Sequence, residues 1–197
     1  VQAHRFQVIE RGDGPPLALV PGVQGRWEYS RGLVEALASR YRVITFSLCD
    51  ERRQGVSPPS IDVFAAQLEE ALDRAGVPRA PIVGVSFGGL VALRFAATRQ
   101  ARTSALVMVS APGPRWRLRP RHDLYARAPW LFGPIFLAES PWRLRKEIAA
   151  ALPDWPARRR YLLEQARTIV TAPVSLARMA ARARLIGRYD RLADCAR

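Results

Sequence analysis

The sequence predicts an α/β fold: a mostly parallel sheet with helices on both faces. Three observations carry this. Residues 1–114 alternate short apolar runs with stretches of helical period. The runs are continuous rather than alternating, as strands covered on both faces are. After Pro114 the strand signals stop, and helical pieces punctuated by proline take over, as expected of helices laid over a sheet.

Taken in order, "RFQVIERGDG" reads as a first strand ending in a turn at Gly12-Asp13-Gly14. Residues 17–20 of "PLALVPG" form a second strand that stops at Pro21-Gly22. Residues 31–40 form a helix with Ser30 as its cap. "YRVITFSL" is rich in β-branched and aromatic residues and gives a strand at 42–48, followed by the loop "CDERRQGVSPPS". Over 61–76, Ile61, Phe64, Ala65, Leu68, Leu72 and Ala75 share one stripe, with Ser60 before it and Gly76 and Pro78 after it. A strand at 81–85, a helix over "GGLVALRFAATR" and a strand at 104–110 complete the first part. Helices are expected at about 121–137, 142–152, 156–170 and 175–188, and Trp116, Trp130, Trp142 and Trp155 all lie in this second part.

Composition narrows the function. A chain of 197 residues, 49% hydrophobic, suits one core. No apolar run reaches membrane-spanning length, and the start lacks a signal-peptide pattern. Cys49 and Cys195 make no disulfide framework, and His4 and His122 are the only histidines, so neither a metal site nor a cofactor is expected. A reduced, cytoplasmic setting follows. The net charge of +14 sits in the second half, where residues 111–197 hold 18 basic and 7 acidic side chains. The favoured reading is solvated faces of amphipathic helices, with no nucleic-acid partner; an anionic substrate, a membrane surface or nucleic acid is the other reading.

The chemistry centres on "PIVGVSFGGLVALRFAA". Gly84-Val85-Ser86-Phe87-Gly88 stands between a strand and a helix, the setting of a nucleophile elbow. Small residues are needed two before and two after the serine, because the backbones pass close together there. Gly84 and Gly88 fill those places, and Gly89 adds clearance. Ser86 is the expected nucleophile. In this context Phe87 N–H and Val23 N–H are the expected oxyanion donors, with Gln24 as the less favoured choice for the second. No G-x-G-x-x-G or G-K-[ST] pattern points to phosphate binding instead.

The elbow at 84–89, the Pro-Gly at 21–22 and "RVITFSLCDERRQG" before a long helix together resemble the α/β-hydrolase superfamily, in its capped, serine-nucleophile form. The resemblance covers about residues 4–114. It implies a core at 1–114, a helical cap at 115–190 and the start of a return to the core at 191–197. Where many members have His-Gly, this chain has Pro21-Gly22. The family order is serine, then acid, then histidine. Here the first acid after Ser86 is Asp123, and no histidine follows His122. His4 and His122 are therefore set aside as surface or loop residues. The chain is expected to be C-terminally truncated, with its histidine and acid beyond residue 197, and the lack of a starting Met fits trimming at both ends. The 1–197 segment is accordingly expected to show little turnover of p-nitrophenyl acetate.

The resemblance implies a serine hydrolase acting on a carboxylic ester or related small acyl substrate. Serine as nucleophile argues against the dehalogenase and epoxide hydrolase branches. Esterase, thioesterase, C–C hydrolase, peptidase and haloperoxidase-like activities remain open. The implied cap tryptophans would line an apolar pocket or pack. The alternative from a different class is a non-catalytic ligand-binding protein of the same fold.

Overall fold

The computed structural model describes residues 7–49, 59–113, 116, 120–152 and 154–196. Five strands form one sheet: β1 (Val8–Arg11), β2 (Pro16–Val20), β3 (Arg42–Phe46), β4 (Ala80–Val85) and β5 (Thr103–Val109), in the order β1-β3-β2-β4-β5. β1 runs antiparallel to β3, and the other neighbours are parallel. Parallel strands need crossovers, and α1 (Arg31–Ala38), α2 (Ile61–Arg74) and α3 (Phe87–Thr98) supply them.

The continuous apolar runs are explained by burial on both sides. Leu17, Leu19, Val43 and Val83 pack with Val34 of α1. Ala18, Val20, Ile44, Phe46 and Ile82 face the other way, against Phe64, Leu68 and Leu72 of α2 and Leu90 and Phe95 of α3. The register pairs Val20 with Gly84, which brings the end of β2 beside the end of β4.

Local signals were read well where caps are formed. Ser60 Oγ accepts a hydrogen bond from Val63 N–H at 3.2 Å, and the chain leaves α2 through Gly76 at φ +66°. Ser30 differs from expectation. A 3₁₀ turn over Trp27–Ser30 leads directly into α1, so Ser30 takes φ −107°, ψ 12° and makes no side-chain cap. β3 also ends two residues early, because Ser47 and Leu48 leave the ladder to bind another loop: Ser47 Oγ accepts from Trp27 N–H, and Leu48 N–H donates to the Gly25 carbonyl at 2.7 Å. β5 was expected to be buried on both faces. Val107, Met108 and Val109 are instead exposed, since β5 is the last strand of the sheet and pairs with β4 alone among the described residues.

The rest is helical: α4 (Pro120–Arg127), α5 (Pro129–Ala151), α6 (Trp155–Thr171), α7 (Leu176–Arg188) and α8 (Arg191–Cys195). The break expected between residues 137 and 142 falls at Ala128 instead. Pro129 opens α5 at a position where its missing N–H costs nothing, and the helix then runs through Pro134 and Pro141. Asp154, Ser175 and Asp190 cap α6, α7 and α8 through their side chains. α8 docks beside α3. Arg94 of α3 donates to Asp62 at 2.7 Å and to Asp194 at 2.9 Å, and the Tyr189 hydroxyl donates to the other oxygen of Asp194. Arg191 of α8 donates to the carbonyls of Gly113 and Trp116 at 2.8 and 3.2 Å.

The cap tryptophans, expected to pack or to line a pocket, divide: Trp130, Trp142 and Trp155 are exposed, while Trp116 lines the cavity described below. His4, the loop at 50–58 and the proposed junction at 114–115 lie outside the described residues.

Candidate active site

Ser86 stands between β4 and α3 at φ 52°, ψ −115°. A non-glycine residue in such a conformation is held there by its surroundings, at a cost of about 1–3 kcal/mol. Ser86 N–H donates to the Val109 carbonyl at 2.8 Å, and its own carbonyl accepts from Gly89 N–H at 3.0 Å. A Cβ on Gly84 would collide with the Gly88 carbonyl and come within 2.5 Å of Gly89 Cα. One on Gly88 would strike the carbonyls of Val20 and Pro21, and one on Gly89 would come within 2.5 Å of Ala111 Cβ. The three glycines therefore let the turn close against β2 and the end of β5. Phe87, fully buried, packs edge-on against Phe64 at 5.6 Å and anchors the first turn of α3.

The loop after β2 lies alongside. A Cβ on Gly22 would be 3.7 Å from Ser86 Cβ. Gly25 N–H donates to the Gly22 carbonyl at 2.8 Å, closing a tight turn with Gly25 at φ +70°. That bond fixes the Gly22–Val23 peptide. Val23 N–H and Phe87 N–H both make no hydrogen bond among the described residues, and Gln24 N–H is in the same position.

Arg182 of α7 holds this loop from below and was missed in the sequence. It is 3% exposed, and it donates to the Val23 carbonyl at 2.9 Å and to the Leu48 carbonyl at 3.5 Å. Its guanidinium occupies the space where a Gly25 side chain would be. Nothing in the local sequence separates Arg182 from the other arginines of α7; only the packing of α7 on the loop selects it.

Ser86 and Val23 open into a cavity of about 150 Å³. α4 contributes His122 and Tyr125, α7 contributes Met179, Ala183 and Ile186, and Trp116 completes the wall. The lining is almost wholly apolar. His122, set aside above as a surface residue, is half-buried and shares this cavity with Ser86. Its placement depends on the packing of α4 against α7, which residue spacing does not encode. Asp123 beside it is directed to Arg127, 2.7 Å away. Ser86 Oγ makes no hydrogen bond among the described residues. A second cavity of about 230 Å³, lined by Gln24, Gly25, Ser47, Cys49, Arg178 and Arg182 among others, does not include Ser86. No group of His, Cys, Asp and Glu among the described residues could hold a metal ion.

A mostly parallel sheet flanked by helices, with a strained serine on the strand-to-helix turn beside the loop after β2, defines a protein of hydrolase architecture. The sequence model of the alpha/beta hydrolase fold matches residues 15–171, and the chain belongs to that family. It is 30% identical over 162 residues to RutD of Azorhizobium caulinodans, which carries the name of a carbamate hydrolase, covering 74% of this chain and 61% of that one. It is 34% identical over 119 residues to the polyketide synthase ThaQ of Burkholderia thailandensis, covering 59% of this chain and 6% of that protein. The crystal structure of the enol-lactonase from Burkholderia xenovorans superposes with a TM-score of 0.63 at 18% identity, covering 96% of this chain and 72% of that one, a likeness of fold. The chain thus spans less than two thirds of the length of these sequence relatives.

Proposed function

We propose that this chain supplies the nucleophile and the oxyanion hole of a serine hydrolase acting on a carboxylic ester or a related small acyl compound. The observation that carries the proposal is the strained backbone of Ser86, which shares an apolar cavity with Val23, together with the Val23 and Phe87 amides that make no hydrogen bond among the described residues. Ser86 Oγ attacks the acyl carbon, its proton passes to a general base, and the carbonyl oxygen gathers negative charge between Val23 N–H and Phe87 N–H. Each such donor contributes about 3 kcal/mol in the transition state. The relative RutD carries the name of a carbamate hydrolase, a name that fits acyl chemistry of this kind.

Within the 197 residues no acid lies between Ser86 and His122 and no histidine follows His122, so the family order of serine, acid and histidine is not completed and the proposal assigns no base among them. Without a base a serine hydroxyl is a weak nucleophile. The 197-residue chain should hydrolyse p-nitrophenyl acetate no faster than its Ser86→Ala variant. A chain extended to the length of its relatives should be labelled by a fluorophosphonate at Ser86, and Ser86→Ala should abolish that label. An extended chain that resists the reagent would favour the second reading, a non-catalytic protein that holds a ligand in the same cavity. The specific observation behind that reading is the Ser86 hydroxyl, which makes no hydrogen bond among the described residues.

A further inference from the structure

α6 carries its apolar stripe outward. A helix on a folded core ordinarily buries its apolar stripe and exposes its polar one. In α6 the inward positions, Ala157, Glu164 and Thr168, are small or polar, and Thr168 is the buried one. Trp155, Leu162, Ala166 and Ile169 follow one another at i, i+7, i+11 and i+14 on the opposite side, with Leu163 and Val170 beside them. That stripe is open: Trp155 is 67%, Leu163 60% and Val170 80% exposed.

Charge frames the stripe. α6 carries four arginines and one acid, Glu164. Arg158 is turned back to cap the carbonyls of Leu152 and Ala149 at the end of α5. Arg159, Arg160 and Arg167 make no ion pair among the described residues. Arg159 lies inside the apolar stripe, one turn from both Trp155 and Leu163. Against an apolar protein surface that guanidinium would be stripped of water without a partner. At a lipid surface its stem lies along the apolar side chains, and its head reaches the phosphates.

We infer that α6 is an interfacial helix that adsorbs to an anionic lipid surface through Trp155, Leu163 and Val170, with Arg159, Arg160 and Arg167 on the headgroups. An apolar face rich in Trp and Leu beside free arginines is the composition of helices that lie in the plane of a membrane. No helix among the described residues is long and apolar enough to cross one. The inference does not depend on the role given to Ser86.

Flotation of the 197-residue protein with vesicles tests it. The protein is expected to float with mixed phosphatidylcholine–phosphatidylglycerol vesicles and about tenfold less with phosphatidylcholine alone. Tryptophan emission should shift to the blue on binding, and less so in Trp155→Phe. The double variant Leu163→Asp, Val170→Asp should lose about tenfold or more in binding with its far-UV circular dichroism unchanged, since both side chains are in solvent. Val170→Asp alone serves if the pair impairs folding. Arg159→Glu should weaken binding to the anionic vesicles. The inference is overturned if the anionic vesicles do not bind, or if binding survives the aspartates, which would leave only general attraction to an arginine-rich surface. It is also overturned if sedimentation shows a micromolar dimer that the aspartates dissociate, because a second copy would then be the occupant.

Discussion

Ser86 was legible because its demands on its neighbours are local. A strained residue between a strand and a helix needs glycine on both sides, and the sequence writes that need within six residues. Gly88 shows how strict it is: one added methyl group would meet two carbonyl oxygens of the β2 end. Gly88→Ala should therefore cost about 1–3 kcal/mol of stability in urea denaturation, as overpacking does, and Gly32→Ala, at a glycine with open space around it, should cost nothing comparable. Arg182 was not legible for the opposite reason. Its partners, the carbonyls of Val23 and Leu48, are distant in sequence, and one helical arginine looks like another. Removing a buried charged donor leaves both carbonyls unsatisfied, so Arg182→Ala should destabilise the protein by about 1.5–3 kcal/mol. Lys at this position should recover only part of that, because one ammonium cannot reproduce the fork.

Among the elements, the sheet and its crossover helices followed from β-branched runs and glycine punctuation. The second half was read with the right helical character but the wrong division. Proline can end a helix, open one or sit within one, and all three readings were available for the segment from Pro120 to Pro141. The packing of α8 on α3 had no sequence signal either, since it rests on Arg94 meeting Asp62 and Asp194 from two directions. This contact predicts a response to alkali. Burial first, and then the hydrogen bond to the Asp194 carboxylate, raise the Tyr189 hydroxyl above its ordinary pKa of 10.0. The folded state thus keeps that proton after the unfolded chain has lost it. Its contribution is fully present below pH 10 and declines as pH rises beyond it. Thermal unfolding of Tyr189→Phe should be less sensitive to pH above 10 than that of the parent protein.

For the whole molecule, the sheet has an uneven boundary. β1 closes one edge with exposed, charged Glu10 and Arg11, while β5 presents Val107, Met108 and Val109 at the other. An apolar strand edge of this length is a template for pairing between chains. Aggregation of the 197-residue protein on gentle heating, followed by light scattering, should fall in Val107→Lys, with little change in the melting temperature. A variant that aggregates as the parent does would place the contact elsewhere.

The parallel register of β2 with β4 has a further consequence, in time rather than space. β4, α3 and β5 are consecutive in the chain and can assemble from near neighbours, and they carry Ser86 and Phe87. Val23 comes from the far side of a long excursion through α1, β3 and α2, and reaches them only when Val20 pairs with Gly84. Contacts between such distant segments close late. The turn bearing the serine should thus exist before the loop that bears Val23 reaches it, and the completed site should be among the last features to form as the chain folds.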